Sequence, residues 1–237
     1  ADLAASKNLK ISIFQNRRWD SDFLTVKKVI QDGSLGDIVE AEFHYDRFNP
    51  DLSPKVHKET QNSGSGIVRD LGPHVLDQAL SLFGMPQSVF ADLRKMRNNT
   101  LVEDYFEILL LYPSLRVRLK GGYFYKETVP SFQVFGTKGS FLKSRSDRQE
   151  ADLLKDLKPT GTNWGKDAVE DYGTIHDEKG KRTIESVQGN YFNYYEDIYQ
   201  GLRKNKTFEI DIHAGLNSMK IIDLVFESAK EGKIIDL

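Results

Sequence analysis

Between residues 88 and 143 the chain breaks into short runs in which apolar residues alternate with polar ones. That period of two predicts strands over 88–97, 104–112, 115–125, 131–135 and 140–143. The links between them carry turn chemistry: Arg97-Asn98-Asn99-Thr100, Tyr112-Pro113-Ser114 and Gly136-Thr137-Lys138-Gly139. Links this short join antiparallel neighbours, so a broad sheet is expected. The run 108–112 is apolar throughout and is expected at its centre. A further strand is predicted over 37–48, where Ile38, Val39, Ala41, Phe43 and Tyr45 alternate, and a short one over 10–14. Residues 172–177 and 182–187 read as a hairpin with its tip at Lys179-Gly180-Lys181.

Elsewhere the period lengthens to that of a helix. Asp20 or Ser21 can cap a helix carrying Phe23, Leu24, Val26, Val29 and Ile30, which ends near Gly33. Pro73 opens a second, with Leu76, Ala79, Leu80 and Phe83 on one side, and Gly84 closes it. Over 191–202 Phe192, Tyr195, Ile198, Tyr199 and Leu202 recur at helical spacing and are expected in the core, hydroxyls at its rim. The last helix, 212–230, is expected to bury Leu216, Met219, Ile222, Val225, Phe226 and Ala229. A short charged helix is predicted over 147–157. Residues 49–64 and 159–173 are long polar loops, and the first is candidate site material because long loops in domains are often functional. The predicted class is α+β: a large, mainly antiparallel sheet with helices packed on one face.

Composition narrows the partners. A net charge of −2 leaves no basic excess for nucleic acid, and no apolar run reaches membrane-spanning length. Cysteine is absent, which removes disulfides, thiolate metal sites and thiol nucleophiles and suits a reducing cytoplasm, the expected location. The chain opens without methionine inside what reads as the last turns of a helix, Leu3-Ala4-Ala5 stopping at Asn8. That opening reads as a piece of a longer protein.

The densest chemistry lies in Gly64-Ser65-Gly66-Ile67-Val68-Arg69-Asp70-Leu71-Gly72-Pro73-His74-Val75-Leu76-Asp77. Its glycines lack the third member of a GxGxxG cradle and follow a polar loop where such a cradle follows a strand. There is no Walker A run, HExxH or GxSxG, and the five histidines are singly spaced, so no metal site is expected. His74 would stand at a helix entrance with Asp70 just upstream. The helix N-terminus disfavours imidazolium and a nearby carboxylate favours it, so the pair is suited to proton transfer near neutrality. His74 as a capping residue and Asp77 as an ordinary first-turn acid are the alternatives. Arg17-Arg18-Trp19 reads either as a surface turn or as a cationic stacking element near a ligand.

Taken together, Gln15-Asn16-Arg17-Arg18-Trp19-Asp20, the Gly64 to Asp77 stretch and Glu227-Ser228-Ala229-Lys230-Glu231-Gly232, in that order, resemble the glucose–fructose oxidoreductase / inositol dehydrogenase (Gfo/Idh/MocA) family. Asp104-Tyr105-Phe106, Asn163-Trp164-Gly165 and Gly189-Asn190-Tyr191 resemble its NADP-dependent scyllo-inositol dehydrogenase type. The resemblance implies a two-domain oxidoreductase whose N-terminal Rossmann half carries GxGxxG and a Glu-Lys-Pro catalytic lysine, neither of which occurs in this chain. Residues 1–14 would be a remnant of that half, and 15–237 the C-terminal substrate-binding and oligomerisation domain. It implies catalytic roles for His74, exchanging the substrate hydroxyl's proton, and Asp70, orienting or charging it. Asn16 and Arg17 would approach NAD or NADP, Tyr191 or Tyr194 its nicotinamide end, and Lys58, Asn163 and Trp164 a polyol or sugar. A homodimer or homotetramer through the open sheet face is implied too, and this chain alone is expected to be inactive. The alternative within the same fold is a non-catalytic sugar sensor or scaffold. One departure is Lys55-Val56-His57, where relatives have Arg-Trp-Arg.

Overall fold

Alternate residues of the strand-like runs turn to one side and are buried there: Ala41 and Phe43, Ile108 and Leu110, Val117 and Leu119, Phe132 and Val134. Apart from Ala41, each of these fully buried side chains contributes about 1.5–3 kcal/mol, which makes this face the core. The computed structural model describes every residue except Ser63 and Thr128. Among the described residues nine strands form one sheet: β1 (Ile38–Asp46), β2 (Ser88–Arg94), β3 (Tyr105–Leu111), β4 (Arg116–Gly122), β5 (Phe132–Gly136), β6 (Gly139–Lys143), β7 (Gly173–Asp177), β8 (Gly180–Ile184) and β9 (Ile235–Asp236). Their order is β8-β7-β6-β5-β1-β4-β3-β2-β9. Every pair is antiparallel except β1 with β4, where Ala41 faces Val117 and Phe43 faces Leu119.

The helices are α1 (Asp2–Ser6), α2 (Ser21–Gln31), α3 (Val56–Glu59), α4 (Ile67–Asp70), α5 (Gly72–Phe83), α6 (Gln149–Leu153), α7 (Phe192–Arg203) and α8 (Ile212–Glu231). Helix α5 lies over β1 and β4, α8 over β2, and α2 against β6. The opposite face of the sheet mixes charged groups with apolar ones such as Phe90, Leu109 and Leu111. There Arg118 bridges Glu42, Glu40 and Glu107, and His44 sits between Glu42 at 3.0 Å and Asp46 at 3.3 Å. The α+β class and its one-sided helical layer are as the pattern predicts.

Several expectations need correction. Residues 10–14 form no strand: Ser12 makes a lone bridge to Asp211, because no neighbouring strand offers a ladder. The centre of the sheet is β1, and the apolar run ending β3 lies between β2 and β4 with Leu109 and Leu111 only half-buried. The loop over 49–64 contains the helical turn α3, and the charged helix near 150 is only one turn long. Phe192, Tyr195, Tyr199 and Leu202 of α7 are exposed, and the helix packs through Tyr194 and Gly201 instead. On α8 Leu216 and Met219 are exposed while Ser218, Ile221, Ile222, Val225 and Ser228 are buried. Ser228 is accommodated because its hydroxyl accepts from Ala91 N at 3.0 Å and donates to Lys233 O at 2.6 Å.

Candidate active site

The Gly64 to Asp77 stretch folds as two helices meeting at Leu71. Gly66 precedes α4 at φ +89°, and a Cβ on it would overlap the Glu103 carboxylate. A glycine is therefore required for backbone shape and close approach, not for a phosphate. Pro73 fits the first turn of α5, where its missing N–H costs nothing. His74 follows it, and its backbone N–H donates to Leu71 O at 3.2 Å.

The next turn of α5 fixes what faces His74. Residues Asn16–Trp19 form a 3-10 turn. Asp77 accepts Arg18 Nε and Nη2, both at 2.7 Å, and Gln78 Nε2 donates to Arg17 O at 3.1 Å. Asp77 is thus a buried clamp on the turn, beyond its first-turn placement. Arg17 is thereby held beside the imidazole, with Nη1 on Asp20 at 3.2 Å and Nη2 on Glu150. Asp20, fully buried, also accepts the Tyr191 hydroxyl at 2.8 Å. It occupies the N-cap position of α2 but makes no side-chain cap bond, because Arg17 and Tyr191 take its oxygens. Burial, with Asp22 beside it, pushes the Asp20 carboxyl up, and burial next to Asp20 pushes the Tyr191 phenol up, so Tyr191 stays a donor.

These elements enclose a cleft of about 380 Å³ lined by Phe14, Asn16, Arg17, His74, Glu150, Leu153, Leu154 and Tyr191. One end is charged; the other is an apolar rim on which Phe14, Leu153 and Leu154 are exposed. His74 Nδ1 and Arg17 Nε are buried without partners. Burial, then the charges of Arg17 and Arg145, lowers the His74 pKa from 6.5 to about 4, against the opposite pull of Asp70 and Glu150. The imidazole is therefore neutral at pH 7, and its Nδ1 has no partner.

Asp70 faces a second cleft, of about 240 Å³, which Lys58, Asn49, Ser53 and Tyr123 also line. Its carboxylate accepts Lys58 Nζ at 2.9 and 2.7 Å and makes no hydrogen bond to His74. What links Asp70 to His74 here is charge, which pulls the imidazole pKa upward. Lys58 is delivered by α3, which a buried arginine secures. Arg97 donates to Asp51 O (3.0 Å), Glu59 (3.0 Å) and Asp104 (2.9 Å), with its guanidinium 4.4 Å from the Tyr123 ring centroid.

Asn163 and Trp164 line neither cleft. Asn163 is exposed. The Trp164 indole donates to Gln149 Oε1 at 3.2 Å, and the same oxygen accepts Tyr191 N at 2.8 Å, so Trp164 braces Tyr191 from behind. The glycine after it carries this brace: Gly165 has φ +66°, and a Cβ there would lie 2.0 Å from Gly189 O. Replacing Gly165 by alanine is expected to cost about 1–3 kcal/mol, read as a lowered urea midpoint with unchanged slope.

Asn16, Arg17, Tyr191 and His74 are thus brought together, with Asp70 and Lys58 in the adjoining cleft. The linear pattern missed Asp20, Tyr45, Gln78, Arg145 and Glu150. Only Tyr45, an inward hydroxyl at a strand end, carried any signal.

A family profile described as "Oxidoreductase family, C-terminal alpha/beta domain" (Gfo/Idh/MocA) matches residues 27–237. The NADP(+)-named scyllo-inositol 2-dehydrogenase IolW of Bacillus subtilis is 37% identical over 238 residues, covering 99% of this chain and 66% of that protein. The chain thus spans just under two thirds of that relative's length. A solved structure of the oxidoreductase YvaA from Bacillus subtilis is 37% identical with a TM-score of 0.94, covering 100% of this chain and 68% of that one. An oxidoreductase from Agrobacterium radiobacter, crystallised with NAD+, L-tartaric acid and magnesium, shares the fold at a TM-score of 0.79 and 16% identity, over 99% of this chain and 67% of that one. With the fold, the cleft and these likenesses in agreement, the chain belongs to the Gfo/Idh/MocA oxidoreductase family, of which it carries the C-terminal alpha/beta domain.

Proposed function

We propose that this chain is the substrate-facing part of an NAD(P)-dependent oxidoreductase acting on a secondary alcohol or ketone of a sugar or cyclitol. The observation that carries this reading is His74: neutral, with Nδ1 buried and unpartnered, and set in a cleft that is charged at one end and apolar at the other. An unprotonated imidazole is the form that takes a hydroxyl proton as the carbinol carbon gives up hydride, and the protonated form returns that proton in the reduction. The nicotinamide, when bound, supplies the hydride acceptor or donor. The residues present suit it: Phe14, Leu153 and Leu154 offer an apolar wall, with Asn16, Arg17 and the Tyr191 edge around it. Lys58, Asn49 and Ser53 in the second cleft supply hydrogen-bonding groups for polyol hydroxyls, and Asp70 steadies Lys58 there.

In this reading the exposed rim of Phe14, Leu153, Leu154, Phe192 and Tyr195 is where a dinucleotide-binding half sits, and the chain alone is inactive. The test is a panel of inositols and hexoses offered with NAD+ or NADP+ to the intact protein, followed by nicotinamide absorbance. Turnover of at least one polyol is expected, and none across the panel with either cofactor overturns the reading. The open sheet face, where Arg118 gathers three glutamates beside exposed Val39 and Phe90, is proposed as the subunit interface of a homodimer or homotetramer. Sedimentation at micromolar concentration is expected to give a dimer or larger, and a monomer counts against it.

A further inference from the structure

The proton-transfer reading uses His74 and leaves a second guanidinium unexplained. Arg145, just past β6, lies with its guanidinium 4.3 Å from the Tyr45 ring centroid and 4.6 Å from that of Phe132. Its hydrogen bonds go to neutral acceptors alone: Nε and Nη2 reach His44 O at 3.4 and 3.3 Å, and Nη2 reaches Gln78 Oε1 at 3.5 Å. Nη1 is buried with no partner. Both anchors lead to His74. The Tyr45 ring stands 6.5 Å from the imidazole, and Gln78, fully buried, is four residues on from His74 along α5 and holds Arg17 O through its other amide atom.

We propose that Arg145 is a positioning residue for the proton-transfer step: a fixed guanidinium, hydrogen-bonded to neutral acceptors alone, that together with Arg17 keeps the His74 imidazole in its proton-accepting form. The inference rests on the role proposed for His74. The other charges around the imidazole are largely offset. Arg17 from the 3-10 turn is paired with Asp20 and Glu150, and Asp70 from α4 with Lys58. Glu150 from α6 is itself largely exposed, where solvent weakens its field. Tyr45 of β1 and Tyr191 stay neutral, their hydroxyls pushed up by burial. Arg47 also stacks on Tyr45, at 5.2 Å, but is exposed. Arg17 and then Arg145 are the positive charges that bear on the imidazole, and of the two Arg145 is the one without a salt-bridged carboxylate; a positive field in a poorly solvated site opposes a second positive charge. A purely structural filler over Tyr45 and Phe132 needs no guanidinium, least of all one with an orphaned N–H.

The test is the titration of the His74 imidazole by carbon–proton NMR in wild type, Arg145→Gln, Arg145→Met and Arg145→Lys. Without the charge, the His74 midpoint is expected to rise from about 4 by about 1 pH unit; the lysine variant is expected to stay near wild type. Folded Gln or Met variants with an unmoved midpoint overturn the proposal. So does loss of the fold in both neutral variants while the lysine variant folds, since that makes the residue structural. In the intact enzyme the acid limb of kcat/KM is expected to move up with the midpoint, lowering kcat/KM at pH 4.5 several-fold with little change at pH 7. A shifted NMR midpoint with an unshifted acid limb leaves the charge effect standing and removes His74 from the proton transfer.

Discussion

His74→Ala, made in the intact oxidoreductase, is expected to lower kcat about a hundredfold or more, the usual scale of a lost general acid–base group. The loss should fall on kcat more than on KM, because in the proposed role the imidazole would exchange a proton during the reaction and would hold no part of a polyol by charge in the ground state. Stability should change little by comparison. Nδ1 has no hydrogen-bond partner to lose, and the helix around it is held by Asp77 on Arg18 and Gln78 on Arg17. Parallel steady-state kinetics and thermal unfolding separate the two effects. An alanine variant that keeps most of its kcat removes His74 from the reaction.

The largest loss of stability is expected from Lys143→Met. Lys143 is completely buried at the end of β6 and donates to Asp167 at 2.8 Å, Ser146 Oγ at 3.0 Å and Asp171 O at 2.8 Å. Asp167 is equally buried and also accepts Ser21 Oγ at 2.5 Å and Ser146 Oγ at 2.7 Å. The pair ties the loop that carries Trp164 to the sheet and to the start of α2. Removing the lysine strands a buried carboxylate, for which about 3–5 kcal/mol is the expected cost in urea unfolding. Replacing both partners, as Lys143→Met with Asp167→Leu, should recover much of that, because no unpaired charge is left. Burial alone would raise the Asp167 pKa, but bonds from Lys143, Ser21 and Ser146 outweigh it and hold it below the ordinary carboxylate value. The stabilisation is therefore full above about pH 4 and lost as pH falls through that depressed value, so wild type and variant should converge in acid. A single-variant loss under about 1 kcal/mol at pH 7 would falsify this account of the pair.

What could be read in advance was whatever is local in sequence. Asp70 and His74 share one short stretch, and the strands of the sheet announce themselves by alternation, so both were legible. The misreadings come from partners far along the chain. Asp20 looks like a helix cap until Tyr191 and Arg17 claim its oxygens. The buried stripe of α8 includes Ser218 and Ser228, so a search for apolar spacing assigns Leu216 and Met219 to the core in their place. The α7 aromatics keep helical spacing while facing outward, because Tyr194 and Gly201 make the packing contact. Arg145 lies in a polar stretch with no motif around it, and only the folded chain brings it to Tyr45 and Gln78.

The parallel pairing of β1 with β4 bears on how the molecule comes to exist. Antiparallel neighbours such as β3 and β4 close a short turn, whereas β1 meets β4 only after α3, α4, α5, β2 and β3 have been threaded between them. The pairings of β1 with β5 and of β2 with β9 are also non-local. Closing long loops before their contacts are made is entropically uphill and places such sheets among the slower folders, in milliseconds to seconds. Helix α5 rests on β1 and β4 together, so it has no floor until that pair has closed. The neighbours of His74, Arg17 from the 3-10 turn, Tyr45 from β1 and Glu150 from α6, come from equally distant parts of the chain, so the site depends on these same non-local closures.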